Sequence, residues 1–317
     1  MKSFSSEYSE EAKACFERIQ KAFQTNSVPS FFRFIGEFPP YLSYITDEIV
    51  MNVSDEKLQA LMADNCSTVK EILASKFPKK GEVAELLSRY RNSPEFYYFE
   101  KDLEHIFQVN SMLAVIFIAL REAVKGWAVA AKKLQSGNGE ESYGTERWDD
   151  KIKEELVYGD FSVKVTPSRP EGELSAQRSH LGEEQNSNQP HLAPPASLRE
   201  ALRAGSHRGG LRRGSGELAK RNQGGIVEAM VPKYFAATKT EFEEMLKDEQ
   251  LLYFRVELEK ILLRVIHIMP YPINSPINVF FDLTKQYPKF PELLYRMSEQ
   301  FPTMAVQRWM YSGWILP

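Results

Sequence analysis

Apolar and polar residues alternate along most of this chain with the period of an α-helix. Within residues 10–23, EEAKACFERIQKAF, the i, i+3, i+4, i+7 spacing places one apolar stripe on Ala12, Cys15, Phe16, Ile19 and Phe23. The same period predicts further helices over 54–77, 79–90, 93–107, 110–134 and 239–269. This pattern is typical of an all-α protein.

Three residues stand where the predicted helices begin. Ser54 and Ser93 are good N-caps, and Pro94 occupies the first helical position after Ser93. Asn110 opens the longest apolar helix, which ends in lysines. One segment, ELVYGDFSVKV at 155–165, resembles a β-strand instead.

Composition divides the chain into three parts. Residues 166–224 contain no Phe, Tyr, Trp, Ile, Val or Met, so they cannot bury enough apolar surface to offset their chain entropy. We therefore expect a long disordered linker, rich in Gly, Ser, Pro and basic residues, between helical units at 1–165 and 225–317.

The overall composition is that of an ordinary soluble protein. Of the 317 residues, 43% are hydrophobic and 12% aromatic, and the net charge is −3, so no global charge calls for a nucleic acid or an anionic membrane. The apolar run 112–120 is about half the ~20 residues that span a bilayer. With two cysteines and no apolar leader, a cytoplasmic location is expected.

One short pattern occurs twice. TNSVPSFFRFIGEFPPYL (25–42) and PINSPINVFFDLTKQYPKFPELL (272–294) share Asn-Ser, a Pro-containing spacer, Phe-Phe and an aromatic-Pro step. In both copies a long amphipathic helix precedes the pattern and another helix follows it. The chain is therefore predicted to contain two pseudo-repeated helical units around a central pocket, a common place for a small ligand.

These two copies, together with VNSMLAVIFIALREAVKG at 109–126, resemble the group I 2-haloacid dehalogenase family, the DehI type. The resemblance covers about 16–131 and 240–310. It implies an all-α fold of two linked pseudo-repeats. It also implies hydrolysis of the C2–halogen bond of a small 2-halocarboxylic acid by water that an Asp activates. No covalent intermediate and no metal or organic cofactor is implied.

The resemblance points to three pocket residues in the first unit. Phe31 and Phe34 lie three residues apart, on one face of a short helix, where the family has two pocket aromatics. An aromatic pair at this spacing is also typical of an ordinary core. Asn110 matches a pocket Asn of the family, and it also suits an N-cap; both interpretations stay open.

The catalytic base is harder to assign. Counting eight residues back from Pro288 gives Phe280, the match of Phe31, which serves as a candidate substrate-binding residue and not as a base. Asp282 is the nearest carboxylate and the candidate general base. It lies two residues further on, a rotation of about 200° around a helix. An unshifted Asp282 would therefore point away from the pocket and lie on the surface.

No other chemistry is indicated. His105 and His267 lack a second ligand at metal spacing, and phosphate-binding glycine motifs are absent from the sequence. A small carboxylic acid is the expected partner, with no membrane and no nucleic acid, and a homodimer stays open. The alternative is an inactive helical interaction protein whose basic segment, 198–225, binds RNA or an acidic partner.

Overall fold

A computed structural model describes residues 8–135, 150–159, 231–275 and 277–317. Helices account for 81% of these residues, and none of them lies in a strand. The described part is therefore all-α, which confirms the prediction from periodicity. The linker predicted at 166–224 lies outside the described residues.

Within each described range the helices follow one another with short connections. In chain order they are α1 (Glu10–Phe23), α2 (Ser30–Ile35), α3 (Pro39–Val53), α4 (Glu56–Lys76), α5 (Gly81–Tyr90), α6 (Pro94–Gln135), α7 (Asp150–Tyr158), α8 (231–245), α9 (Glu249–Ile266), α10 (Ile277–Gln286), α11 (Phe290–Tyr295) and α12 (Phe301–Trp314). A π-helical segment, Arg296–Gln300, joins α11 directly to α12.

Helix α1 shows how one-sided burial follows from the pattern. The Ser9 side chain accepts a hydrogen bond from the Ala12 amide and so caps the helix, and Gln24 ends it in the left-handed region, with φ of 53°. The buried side chains of α1 are the five of the predicted stripe: Ala12, Cys15, Phe16, Ile19 and Phe23. That prediction is confirmed.

Two predicted helix boundaries are wrong. Ser54 ends α3, and the N-cap of α4 is the next residue, Asp55, whose carboxylate accepts from the Leu58 amide. The predicted helix over 239–269 is broken at 246–248, where Asp248 caps α9. In both places an Asp lies inside a charged stretch that is compatible with a helix, and its carboxylate bonds a backbone N–H group of the next helix and so starts that helix.

The strand predicted over 155–165 is also wrong where the structure describes it. Residues 155–158 belong to α7, and residues 160–165 lie outside the described residues. A short apolar run fits a strand or a buried helix equally well, and tertiary packing decides between them. Here Leu156 and Val157 are buried, and α7 packs against α12.

Helices α6 and α12 form the centre of the protein. They make the most extensive helix–helix contact of the described residues, and α4, α7 and α9 pack around them. The stretch Phe96–Lys125 of α6 is long and apolar enough to cross a membrane, but 78% of its most apolar window is buried inside the protein. The core helix of a water-soluble protein has this same composition. One continuous hydrophobic core joins both ends of the chain.

Candidate functional site

A buried polar pair lies at the crossing of α6 and α12. The Arg308 Nε atom donates a 2.7 Å hydrogen bond to Asn110 Oδ1, and Arg308 Nη1 donates to the Leu156 carbonyl at 3.1 Å. Asn110 is fully buried and Arg308 is 4% exposed. Because α6 runs uninterrupted from Pro94, Asn110 lies in mid-helix, and the N-cap interpretation of this residue is wrong.

Arg308 determines which way the Asn110 amide faces. A guanidinium only donates, so the amide oxygen must point to it, and the amide nitrogen must point elsewhere. Among the described residues Asn110 Nδ2 has no hydrogen-bond partner, although it is buried. A buried donor left unpaired costs about 1–3 kcal/mol. The site therefore presents an N–H group ready for an acceptor.

An indole and a thiol lie beside this pair. Trp309 Nε1 is buried without a partner that meets hydrogen-bond geometry. The indole of Trp309 and the hydroxyl of Ser111 are near the thiol of Cys66, and burial raises the pKa of that thiol above its usual range. Cys66 therefore stays protonated and behaves as a small apolar residue here.

Four aromatic rings pack together about 10 Å from the polar pair along α6 and α12. Phe117 and Phe301 are each seven residues, two helical turns, from Asn110 and Arg308, and their centroids are 5.9 Å apart. Phe31 contacts both of these rings, at 4.6 Å and 5.7 Å, and is fully buried. Phe34 is half-buried and contacts Phe301 at 5.8 Å. The two predicted pocket aromatics therefore share the Phe301 ring; Phe31 lies inside the core and Phe34 at its edge.

The second aromatic group contains Phe280. This ring is fully buried and lies 5.9 Å from both Tyr41 and Phe290. Tyr41 is itself 5.3 Å from Phe290, and Phe38 contacts Tyr287 and Phe290 at 5.6 Å and 5.5 Å. This group links α3 and the residue that precedes it to α10, α11 and the turn between them, all within the two similar sequence patterns.

The chain before α10 is tied to α3. The Asn52 side chain donates to the Tyr271 carbonyl at 2.7 Å and accepts from the Tyr271 amide at 3.3 Å. One turn earlier, the Glu48 carboxylate accepts from the Asn274 amide at 3.1 Å. Burial raises the pKa of Glu48 above its usual range despite this hydrogen bond. These contacts fix the position of residues 271–274, at the start of the second pattern, relative to α3 of the first pattern.

Asp282 lies apart from the buried polar pair. It is exposed on α10, whereas Phe280 and Leu283 are buried on the opposite side. This is the orientation expected for an unshifted helix register. At the matching position of the first pattern stands Arg33, whose guanidinium bonds the Glu155 carboxylate at 3.1 Å. Among the residues whose burial the structure describes, no Asp or Glu side chain is buried.

The sequence analysis missed Arg308. It lies in the apolar run MAVQRWMYSGWIL, where a single Arg among large apolar residues was the available signal. Such a residue is buried only when its donors are satisfied, and the partners, Asn110 and the Leu156 carbonyl, are 198 and 152 residues away in sequence.

No group of His, Cys, Asp and Glu suited to a metal ion occurs among the described residues. Comparison of the chain with protein-family models, with curated proteins and with solved structures gives no significant match.

Proposed function

We propose that this chain is a group I 2-haloacid dehalogenase-like protein that binds a small 2-substituted carboxylic acid in its interior. The observation that carries the proposal is the buried, unpaired amide N–H of Asn110, on the same helix as Phe117, whose ring contacts Phe31 and Phe301. A dry aromatic wall accommodates the 2-substituent, and the Asn110 N–H donates to the halogen or to a carboxylate oxygen.

Contacts between equivalent residues support a pseudo-repeat. Aligning the two Phe-Phe pairs makes Phe38 equivalent to Tyr287, and Tyr41 equivalent to Phe290. Both equivalent pairs are in ring contact, at 5.6 Å and 5.3 Å. Equivalent residues meet each other when two copies of a unit pack about a twofold axis. The two units then pack face to face, with the aromatic groups along their interface.

In this proposal the Phe31 and Phe34 rings separate the bound acid from solvent. Phe31 is fully buried, whereas Phe34 is half-buried at the boundary with solvent. An acid therefore reaches Asn110 when the Phe34 ring rotates outward, and aromatic side chains at a core boundary make such motions without unfolding of the helix.

Hydrolysis would proceed by attack of water on C2, with the C–halogen bond breaking, halide leaving and one proton passing to a base. Asp282 is the candidate base, but its exposure on α10 keeps it outside the buried pair. The geometry therefore supports binding of the acid more strongly than turnover.

The test uses the full-length chain with L- and D-2-chloropropionate. Binding is measured by calorimetry and halide release by an ion-selective electrode, for the native chain and for Asn110→Leu. Thr46→Val, another buried polar-to-apolar change, is the control variant. We expect binding that Asn110→Leu abolishes and Thr46→Val retains. Absence of binding in the native, folded chain would overturn the proposal, and halide release would add the hydrolase activity to it.

One observation favours a second function, an inactive helical interaction protein. The described residues offer no buried carboxylate to act as a base, and the basic segment 198–225 lies outside them. Deletion of 168–224 separates the two functions. An acid-binding protein retains its calorimetric binding after the deletion, whereas an RNA-binding protein loses its salt-sensitive affinity for single-stranded RNA.

A further inference from the structure

A separate cleft of about 370 Å³ lies on another side of α6, between that helix, α4 and the end of α1. Its volume is within the ~300–1,000 Å³ of small-molecule sites. Apolar side chains of Phe23, Val53, Met62 and Met112 form part of its lining, and each of these four is at most 7% exposed. None of the residues proposed above to contact the acid lines this cleft.

Polar side chains of the cleft use their donors on backbone carbonyls. Gln59 Nε2 donates to the Val53 carbonyl at 2.7 Å, which leaves Gln59 Oε1 as an acceptor. His105 Nε2 is 3.0 Å from the Gln24 carbonyl. Since a carbonyl only accepts, Nε2 must carry the proton, and Nδ1 of the neutral ring is then an acceptor. Both side chains can therefore still accept a hydrogen bond from a ligand.

The electrostatics of the cleft also favour a positive ligand. Glu56 is the one carboxylate among the described residues that line it, and neither Lys nor Arg occurs among them. The C-terminal ends of α1 and α3 and the N-terminal end of α4 border the cleft, so two half-negative helix ends outweigh one half-positive end there. Lys21, in the last turn of α1, is exposed and does not line the cleft.

We propose that this cleft binds a small organic ammonium ion with an apolar body. The ammonium group donates to Glu56, Gln59 Oε1 and the His105 ring, and the apolar body covers Met62 and Met112. This site is independent of the acid-binding function proposed above, because the two sites share no residue and their ligands carry opposite charges.

The test titrates 2-phenylethylamine, and separately phenylacetate, into the ¹⁵N-labelled full-length chain followed by NMR. The two probes share an apolar ring and differ in charge. We expect saturable shifts with the amine at the amides of Gln24, Gln59 and His105, and weaker binding of phenylacetate. Glu56→Gln should weaken the amine about two- to fivefold, the range for an exposed ion pair.

Two further variants complete the test. Ala63→Phe, at an exposed position in the cleft wall, should fill the cleft and remove the shifts, with the far-UV circular dichroism unchanged. Glu71→Gln, on the same helix but outside the cleft, should bind the amine normally. The proposal is overturned if phenylacetate binds as tightly as the amine or if no saturable shift appears. It is equally overturned if Ala63→Phe keeps the shifts, or if Glu71→Gln weakens binding as much as Glu56→Gln.

Discussion

The hydrogen bond between Arg308 and Asn110 can be measured by a double-mutant cycle. Asn110→Leu keeps a similar volume and removes the acceptor of Arg308 Nε. Arg308→Met keeps the unbranched stem and removes the guanidinium. Because the bond is already lost in either single variant, the double variant should lose less stability than the sum of the two.

The magnitude follows from the burial of both partners. A hydrogen bond to a charged group contributes about 1.5–3 kcal/mol, so Asn110→Leu should cost up to that much free energy of unfolding, offset in part by removal of the unpaired Nδ2 donor. Arg308→Met leaves Asn110 Oδ1 and the Leu156 carbonyl without their donor, each at a cost of about 1–3 kcal/mol. We expect a coupling energy of about 1.5–3 kcal/mol between the two substitutions.

Urea unfolding followed by tryptophan fluorescence measures the four free energies of the cycle. The matched control pairs Asn110→Leu with Thr46→Val, whose hydroxyl bonds the Leu42 carbonyl of its own helix. Those two changes should add to within about 0.5 kcal/mol. If the Asn110 and Arg308 substitutions were also additive within this margin, the hydrogen bond would carry no stability and our account of the Asn110 orientation would fail.

Three further predictions concern the surrounding fold. Gly313→Ala should lower the free energy of unfolding by about 1–3 kcal/mol, because the added Cβ would lie 2.6 Å from Phe107 Cε2. A lower urea midpoint with an unchanged slope would confirm this prediction, and an unchanged midpoint would refute it. Burial lowers the pKa of Lys79 from 10.5 to about 8. Between pH 8 and 10.5 the unfolded chain therefore binds more protons than the folded chain, so the free energy of unfolding should rise with pH across that window. Lys79→Met should remove this rise, and an identical pH dependence of the free energy of unfolding in the variant would refute the assignment. Asp248→Ala removes the cap of α9 and should cost about 0.5–2 kcal/mol in the same unfolding assay, whereas a cost equal to that of a mid-helix Asp→Ala change would argue against capping.

Local periodicity predicts those helices that bury one face against one neighbour. The stripe of α1 is such a case, since Ala12, Ile19 and Phe23 face the core and the polar side faces solvent. Helix α6 differs because it is buried nearly all round between Leu113 and Leu120. Just before this stretch, the polar Asn110 resembles a helix start in the sequence. Its partner Arg308, 198 residues away, accounts for a buried Asn inside a continuing helix.

For the candidate site too, local spacing is informative in the sequence, whereas the tertiary partners are not. Phe31 and Phe34 are three residues apart in a short helix, a spacing that places them on one face, and both rings contact Phe301. The identity of that neighbour depends on the packing of α12 against α6, which no local pattern contains. The partners of Asn110 and Asn52 are likewise tertiary, because 198 and 219 residues separate them from Arg308 and Tyr271.

A crystal structure of the full-length chain with 2-chloropropionate bound tests the central claim most directly. The account predicts the acid in the interior, with an acceptor atom about 2.9 Å from Asn110 Nδ2 and its 2-substituent against the Phe31 ring. An acid bound elsewhere, with Asn110 Nδ2 still unpaired at saturating ligand, would contradict it.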